Sequence, residues 1–213
     1  MGAKIDPEPH SPSQGNPSKA PHLHLVSAAS PPVQKLPNKR PLNDSELLAA
    51  RKVFASAIQY PLVRIEKMGS FTELINGSRA YTLANSINLP GKAYANPSQY
   101  TSIIIHELVH VWQYQHGGWG YVPNALWAQT LGDGYDFAKA LRQGKSWAQM
   151  NPEQQAQMIQ EAFRSAYFEN PGARFGVLAN KGSVVRASSQ TPDGFVDYTS
   201  ALVDALAVLR KGT

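Results

Sequence analysis

Apolar and polar positions divide the chain into a long unpatterned start and a patterned remainder. From Met1 to Pro41 there is almost no helical or strand period. Pro, Ser, Asn and Lys dominate there, with nine of the sixteen prolines. Residues 1–40 are therefore expected to form a disordered arm or linker. Leu47, Leu48, Ala50, Val53, Phe54 and Ile58 then recur at i, i+3, i+4 spacing behind Asn43-Asp44-Ser45-Glu46, which predicts a capped helix. Leu62-Val63-Arg64-Ile65-Glu66 alternates and Ala80 to Leu89 is similar, with polar Asn76-Gly77-Ser78 between them, so both predict strands of a small sheet. Asn96-Pro97 predicts the start of a helix running to about Gln115, before Gly117-Gly118. Asn151-Pro152 opens another through Met158, Ile159, Ala162, Phe163 and Phe168, and Tyr198 to Leu209 reads as a closing helix ended by Lys211-Gly212. The pattern predicts one α+β domain over residues 41–213, with a small sheet beside a buried helix and a mostly helical C-terminal half.

Composition narrows the classes. At 213 residues and 42% hydrophobic content, one domain with one core is expected. No apolar run approaches the ~18 residues of a membrane span, and the N-terminus lacks the apolar stretch of a secretory signal. The chain has no cysteine, so disulfides and thiolate metal ligands are excluded and any metal must use imidazole and carboxylate. The net charge of +5 sits mostly in the first forty residues, where five basic side chains face two acidic ones. The remainder is nearly neutral and carries no basic face with a recognition motif, so no nucleic-acid partner is expected. His22 and His24 in the arm have no third ligand nearby and read as incidental.

Chemistry concentrates in His106-Glu107-Leu108-Val109-His110. Residues four apart on an α-helix share a face, so His106 and His110 can turn an imidazole nitrogen toward one zinc ion. Glu107 sits about 100° round the helix and is placed to take a proton from water rather than to join the ligands. This is the motif of zinc-dependent peptidases, and it predicts one catalytic zinc with Glu107 as base. Ile103, Ile104, Ile105, Leu108, Val109, Val111 and Trp112 make the helix apolar nearly all round, hence buried. The bland alternative is a pair of core histidines and a carboxylate bound to a Lys or Arg. Against it, an ionised Glu107 in so apolar a helix needs a positive neighbour such as zinc.

The third ligand has two candidates. His116 stands six residues after His110, but the pattern that uses such a histidine needs a glycine where this chain has Gln113. With the helix continuing, His116 lies about 240° round from His110 and points away. Glu153-Gln154-Gln155-Ala156 offers instead a carboxylate in the first turn of a later capped helix. Glu153 is favoured over His116, with Glu161 in reserve. His116, Tyr135 and Tyr167 are candidates for a second electrophile opposite the metal.

Several segments resemble one family: Arg40-Pro41-Leu42 with Glu46 and Val53-Phe54, Tyr81 to Ile87, Ile105 to Gln113, and Glu153 to Ala156. The family is the zinc metallopeptidase domain carried by VgrG-related proteins and other effectors of bacterial contractile secretion systems. The resemblance spans roughly Arg40 to Phe168 and is most specific from Ile105 to Gln113. It implies a compact gluzincin-like domain with His106, His110 and Glu153 on zinc. It also implies a toxin delivered by a type VI machine without a signal peptide, acting on a protein or peptide in a target cell, with the periplasm as one site of action. A secretion spike protein and a cognate immunity protein are then the expected partners. The chain departs from these relatives in carrying Ala84 where glycine is usual and Ala166 where aspartate is usual. Two other readings stand beside this one: a zinc hydrolase of a non-peptide amide, and a non-catalytic binding module that zinc stabilises.

Overall fold

The computed structural model describes residues 37–75, 77–117, 134–170, 172–179, 184–187 and 192–211. The arm expected before residue 37 and the helix-stopping Gly118 and Gly212 lie outside these. The fold is mixed α+β, with two small sheets and seven α-helices among the described residues. In the first sheet, β1 (Lys39–Arg40), β2 (Arg64–Lys67), β3 (Tyr81–Leu83) and β4 (Ser86–Leu89) lie in the order β1-β2-β4-β3. The β2–β4 pair is parallel and the other two are antiparallel.

The helices in chain order are α1 (Asp44–Phe54), α2 (Ser70–Ile75), α3 (Gly91–Ala95), α4 (Thr101–Gly117), α5 (Phe137–Arg142), α6 (Pro152–Arg164) and α7 (Thr199–Lys211). None of them is long and apolar enough to cross a membrane. The centre is α4, which packs along α6 and also meets α1, β3 and β4. Its Ile104, Ile105, Leu108, Val109 and Val111 are fully buried. Each such side chain contributes about 1.5–3 kcal/mol relative to exposure, so packing rather than helix propensity holds this β-branched helix.

Two capping boxes set the entry of the helices that flank α4. Asn43 accepts from Glu46 N at the start of α1, and Glu46 Oε2 returns the bond to Asn43 N at 2.8 Å. The same carboxylate, 1% exposed, accepts from both terminal nitrogens of Arg40 at 2.6 and 2.7 Å. That fork ties β1 to α1, so Lys39 and Arg40 at the end of the expected arm belong to the sheet. At α6, Asn151 accepts from Gln154 N, Gln154 Oε1 accepts from Asn151 N, and Pro152 holds the first turn.

Element boundaries shift where local backbone turns override the periodic pattern. Helix α1 stops at Phe54 because Ala55 takes a positive φ of 51°, and Ile58 reaches the core from the following turn. Leu62 belongs to a 3₁₀ turn over Tyr60–Leu62 rather than to β2. Asn96 does not cap α4: its amide donates to Lys92 O, closing α3, and Pro97–Gln99 forms a 3₁₀ turn before α4 begins at Thr101. Helix α6 ends at Arg164, and Phe168 falls in a 3₁₀ turn that left-handed Ala166 introduces. Besides three α-helices among the described residues, the C-terminal half holds a second sheet that the pattern did not indicate. Its strands β5 (Arg174–Leu178), β6 (Val184–Ala187) and β7 (Phe195–Asp197) lie antiparallel in the order β6-β5-β7. Strands this short show too few alternations to stand out.

The stretch Ala80 to Leu89 is a hairpin, with Leu83 opposite Ser86 and Ala84-Asn85 as its two-residue loop. Ala84 has a φ of 55° at the first loop position, which hairpin turns of this length give to glycine. Relief of a left-handed alanine, about 1–2 kcal/mol, exceeds the extra chain freedom of glycine, about 0.5–1 kcal/mol. Ala84→Gly is therefore expected to raise stability by about 0.5–1 kcal/mol, read as a higher midpoint in chemical denaturation. A lower midpoint would show that the loop is not strained.

Candidate metal centre

The site is built where the apolar helix α4 meets the capped start of α6. One turn of α4 separates His106 from His110, and their ring centroids lie 5.1 Å apart, edge to face. Across the helix interface, Glu153 in the first turn of α6 brings Oε2 to 3.2 Å from His106 Nε2 and 3.5 Å from His110 Nε2. One donor atom from each of the three lies within 4.8 Å of the others, close enough to bind a metal ion, and all three side chains are shielded. The two α4 histidines and the α6 carboxylate selected from the sequence thus come together.

Glu153 is 1% exposed, and its charge is set by its neighbours. Burial pushes its carboxyl up, but hydrogen bonds from His106 and His110 outweigh that and hold it well below the usual carboxylate range. Burial pushes the His110 imidazolium down, yet the Glu153 carboxylate, Glu107 beyond it and Gln113 together raise it to about 9. A positive charge on His110 is what a buried carboxylate demands when nothing else supplies one.

Glu107 lies outside the cluster. Its Oε2 accepts from Thr82 Oγ1 at 2.7 Å, and Thr82 also reaches Glu107 O at 3.2 Å. Thr82 sits on β3, so the first sheet orients this carboxylate while α6 supplies the third donor. His106 and Glu107 line a cleft of about 610 Å³ whose walls include Arg79, Lys92, Ile103, Tyr100 and Tyr135.

The remaining candidates separate cleanly. His116 bends back along its own helix, stacking on Trp112 at 4.8 Å and bonding Trp112 O through Nδ1 at 2.8 Å, so it does not join the cluster. Glu161 Oε1 accepts from Gln157 and Arg164 and is not part of it either. Tyr167 packs edge to face on Phe168 and Phe175. Tyr135 is the member of the trio that reaches the site, with its ring 6.2 Å from that of His106. Burial and the negative charge of Glu153 and Glu107, against the opposing Arg79, push its hydroxyl up to about 12.

Three participants lie in segments the sequence singled out but have no role assigned by its pattern. Thr82 is one ordinary strand residue, and Gln113 and Gln155 are polar residues on otherwise periodic helices. Gln113 Oε1 meets His110 Nδ1 at 2.8 Å, and its Nε2 donates to Gln155 Oε1 at 2.9 Å and to Pro152 O at 3.2 Å. Only the tertiary fold brings these groups together. No family model matches the chain, and no curated protein or solved structure matches it either.

Binding of a metal ion to this cluster would be a proton exchange. At pH 7 His110, with its pKa raised to about 9, holds a proton that ligation must displace. Calorimetry in buffers of different ionisation enthalpy is expected to show release of about one proton per metal bound at pH 7. The affinity should strengthen by about tenfold per pH unit and level off near the raised value. Metal uptake without proton release would contradict the charge pairing of His110 with Glu153.

Proposed function

We propose that the chain is a zinc-dependent metallopeptidase. The observation that carries this reading is the open construction of the site: two imidazoles and one carboxylate converge beside a cleft that a separately held carboxylate, Glu107, also lines. A structural zinc is ordinarily closed by four protein ligands, whereas three such donors with room beside them are the catalytic pattern. The donor set suits the metal. Two nitrogens and one oxygen without sulfur fit zinc better than calcium or magnesium, which prefer oxygen throughout. His106, His110 and Glu153 would hold the ion. When bound, zinc supplies Lewis acidity that activates water near neutral pH and polarises a carbonyl.

The chain's own groups divide the remaining work. Thr82 occupies Glu107 Oε2, which leaves Oε1 to take a proton from the attacking water and pass it to the leaving amine. Tyr135, held protonated by its raised pKa, offers its hydroxyl hydrogen to the oxygen that gains charge as the carbonyl is attacked. Among the described residues, strand β3 is the terminal strand of its sheet, paired with β4 on one side. An extended peptide laid along its open side would pass the Thr82–Glu107 pair, which favours a peptide substrate over a compact non-peptide amide. Delivery by a type VI machine as an antibacterial toxin belongs to the same proposal and rests on the resemblance of the motif segments.

The test separates base from ligand. Glu107→Ala is expected to keep about one zinc per chain while hydrolysis of a peptide library falls by about 10²–10⁴. Tyr135→Phe should also keep the metal and lose about 10²-fold or less in kcat. Glu153→Ala should lose both metal and activity, and His116→Ala should keep its zinc. A wild-type protein that retains zinc but cleaves nothing in the library would favour the binding-module reading.

A further inference from the structure

Buried amides are rare enough to need a reason, and two of them, Gln113 and Gln155, sit at the interface of α4 and α6 directly behind the metal donors. They are 2% and 4% exposed. Their orientation follows from two backbone carbonyls that cannot change role. Trp147 O accepts from Gln155 Nε2 at 2.8 Å, which turns Gln155 Oε1 toward Gln113. Pro152 O and Gln155 Oε1 then both require the amide nitrogen of Gln113, so Gln113 Oε1 must face His110. An oxygen only accepts, and His110 Nδ1 must therefore carry the hydrogen. The reverse orientation would set Gln113 Oε1 against two other oxygens in a dry interface, which is costly for each unpaired group.

We infer that the relay from Trp147 O through Gln155 and Gln113 fixes His110 as its Nδ1–H tautomer, presenting the Nε2 lone pair as a metal donor. Gln113 and Gln155 are positioning residues that act through His110. The same Gln113 amide grips Pro152 O, one residue before Glu153, so it also sets how the first turn of α6 stands against α4. One side chain thus couples two of the three donors. His106 is held differently, because its Nδ1 is buried with no hydrogen-bond partner among the described residues. The relay loads the orientation on His110. Gln113 occupies the position where the alternative histidine pattern would need glycine, and here the helix continues through it to Gly117.

The metal side of this inference rests on the proposed zinc site, while the tautomer does not, and the experiment keeps the two apart. Side-chain nitrogen resonances of the metal-free wild-type protein, recorded above pH 9 where the His110 ring is neutral, should show the remaining proton on Nδ1, which faces Gln113 Oε1 at 2.8 Å, rather than on Nε2, 3.5 Å from Glu153. The Nε2–H form there would overturn the inference whatever the variants do. Zinc affinity is then measured by chelator competition for wild type, Gln113→Leu and Gln155→Leu, with thermal unfolding as the check on folding. Gln113→Leu should weaken zinc by about 10–100-fold, the usual loss when the partner of a ligating histidine is removed, and Gln155→Leu, which acts one bond further back, should weaken it by more than twofold but less than Gln113→Leu. In Gln113→Leu the protected Nδ1–H signal should also disappear. Affinities within twofold of wild type in a folded variant would overturn the relay and leave the zinc site standing. A wild type with the Nδ1–H tautomer but no zinc affinity would sink the proposed function and leave the relay intact. If Gln113→Leu does not fold, Gln155→Leu and the wild-type tautomer still decide.

Discussion

A carboxylate buried in the seam between two helices must be matched by positive charge, and Glu153 imposes that demand on everything around it. An unmatched ion at such depth costs several kcal/mol. Its position is set locally by the Asn151 box and Pro152, which start α6 where the helix dipole also favours negative charge. It is met by His106 and His110, which one turn of α4 stacks on the facing side. In the metal-free protein a proton on His110 supplies the charge, and a bound cation would replace it. Removing either partner would leave a buried charge uncompensated, which is destabilising.

Around that seam the fold assigns one role to each neighbouring element. Helix α4 carries His106 and His110 on one face and Glu107 on the next, and its buried aliphatic residues fix its rotation. Strand β3, by way of Thr82, holds the Glu107 carboxylate apart from the His106–His110–Glu153 cluster. The amides of Gln113 and Gln155 occupy the far side of His110. Each element constrains a different atom, so a change in one should leave a distinct trace. On the proposed function, retention of metal and loss of hydrolysis are therefore separable by single substitutions.

Legibility followed the range of the interactions. The i, i+4 histidines, the Asn43 and Asn151 caps, and the buried face of α4 are local properties of contiguous residues, and the sequence pattern displays them directly. Glu153 was reachable because a capped helix start with a carboxylate in its first turn is itself a local pattern. Tyr135 could be named but not chosen over His116 and Tyr167, since only the packing turns His116 onto Trp112 and Tyr167 onto Phe175. The roles of Thr82, Gln113 and Gln155 were not legible, although their segments were, because those roles exist only across element boundaries. The second sheet was missed because β7 has three residues and β6 four, too few to show a period. The early stop of α1 and α6 came from Ala55 and Ala166 at positive φ, which a residue with so little conformational signal does not announce.

The central claim is that one zinc is held by two imidazoles and one carboxylate, and X-ray absorption at the zinc edge of the loaded protein tests it most directly. The account predicts a first shell of light atoms only, at about 2.0–2.2 Å, with scattering from two imidazole rings. Three rings would bring His116 or another histidine into the site and remove Glu153 from it. No ring scattering at all would place the metal elsewhere on the chain and contradict the account outright.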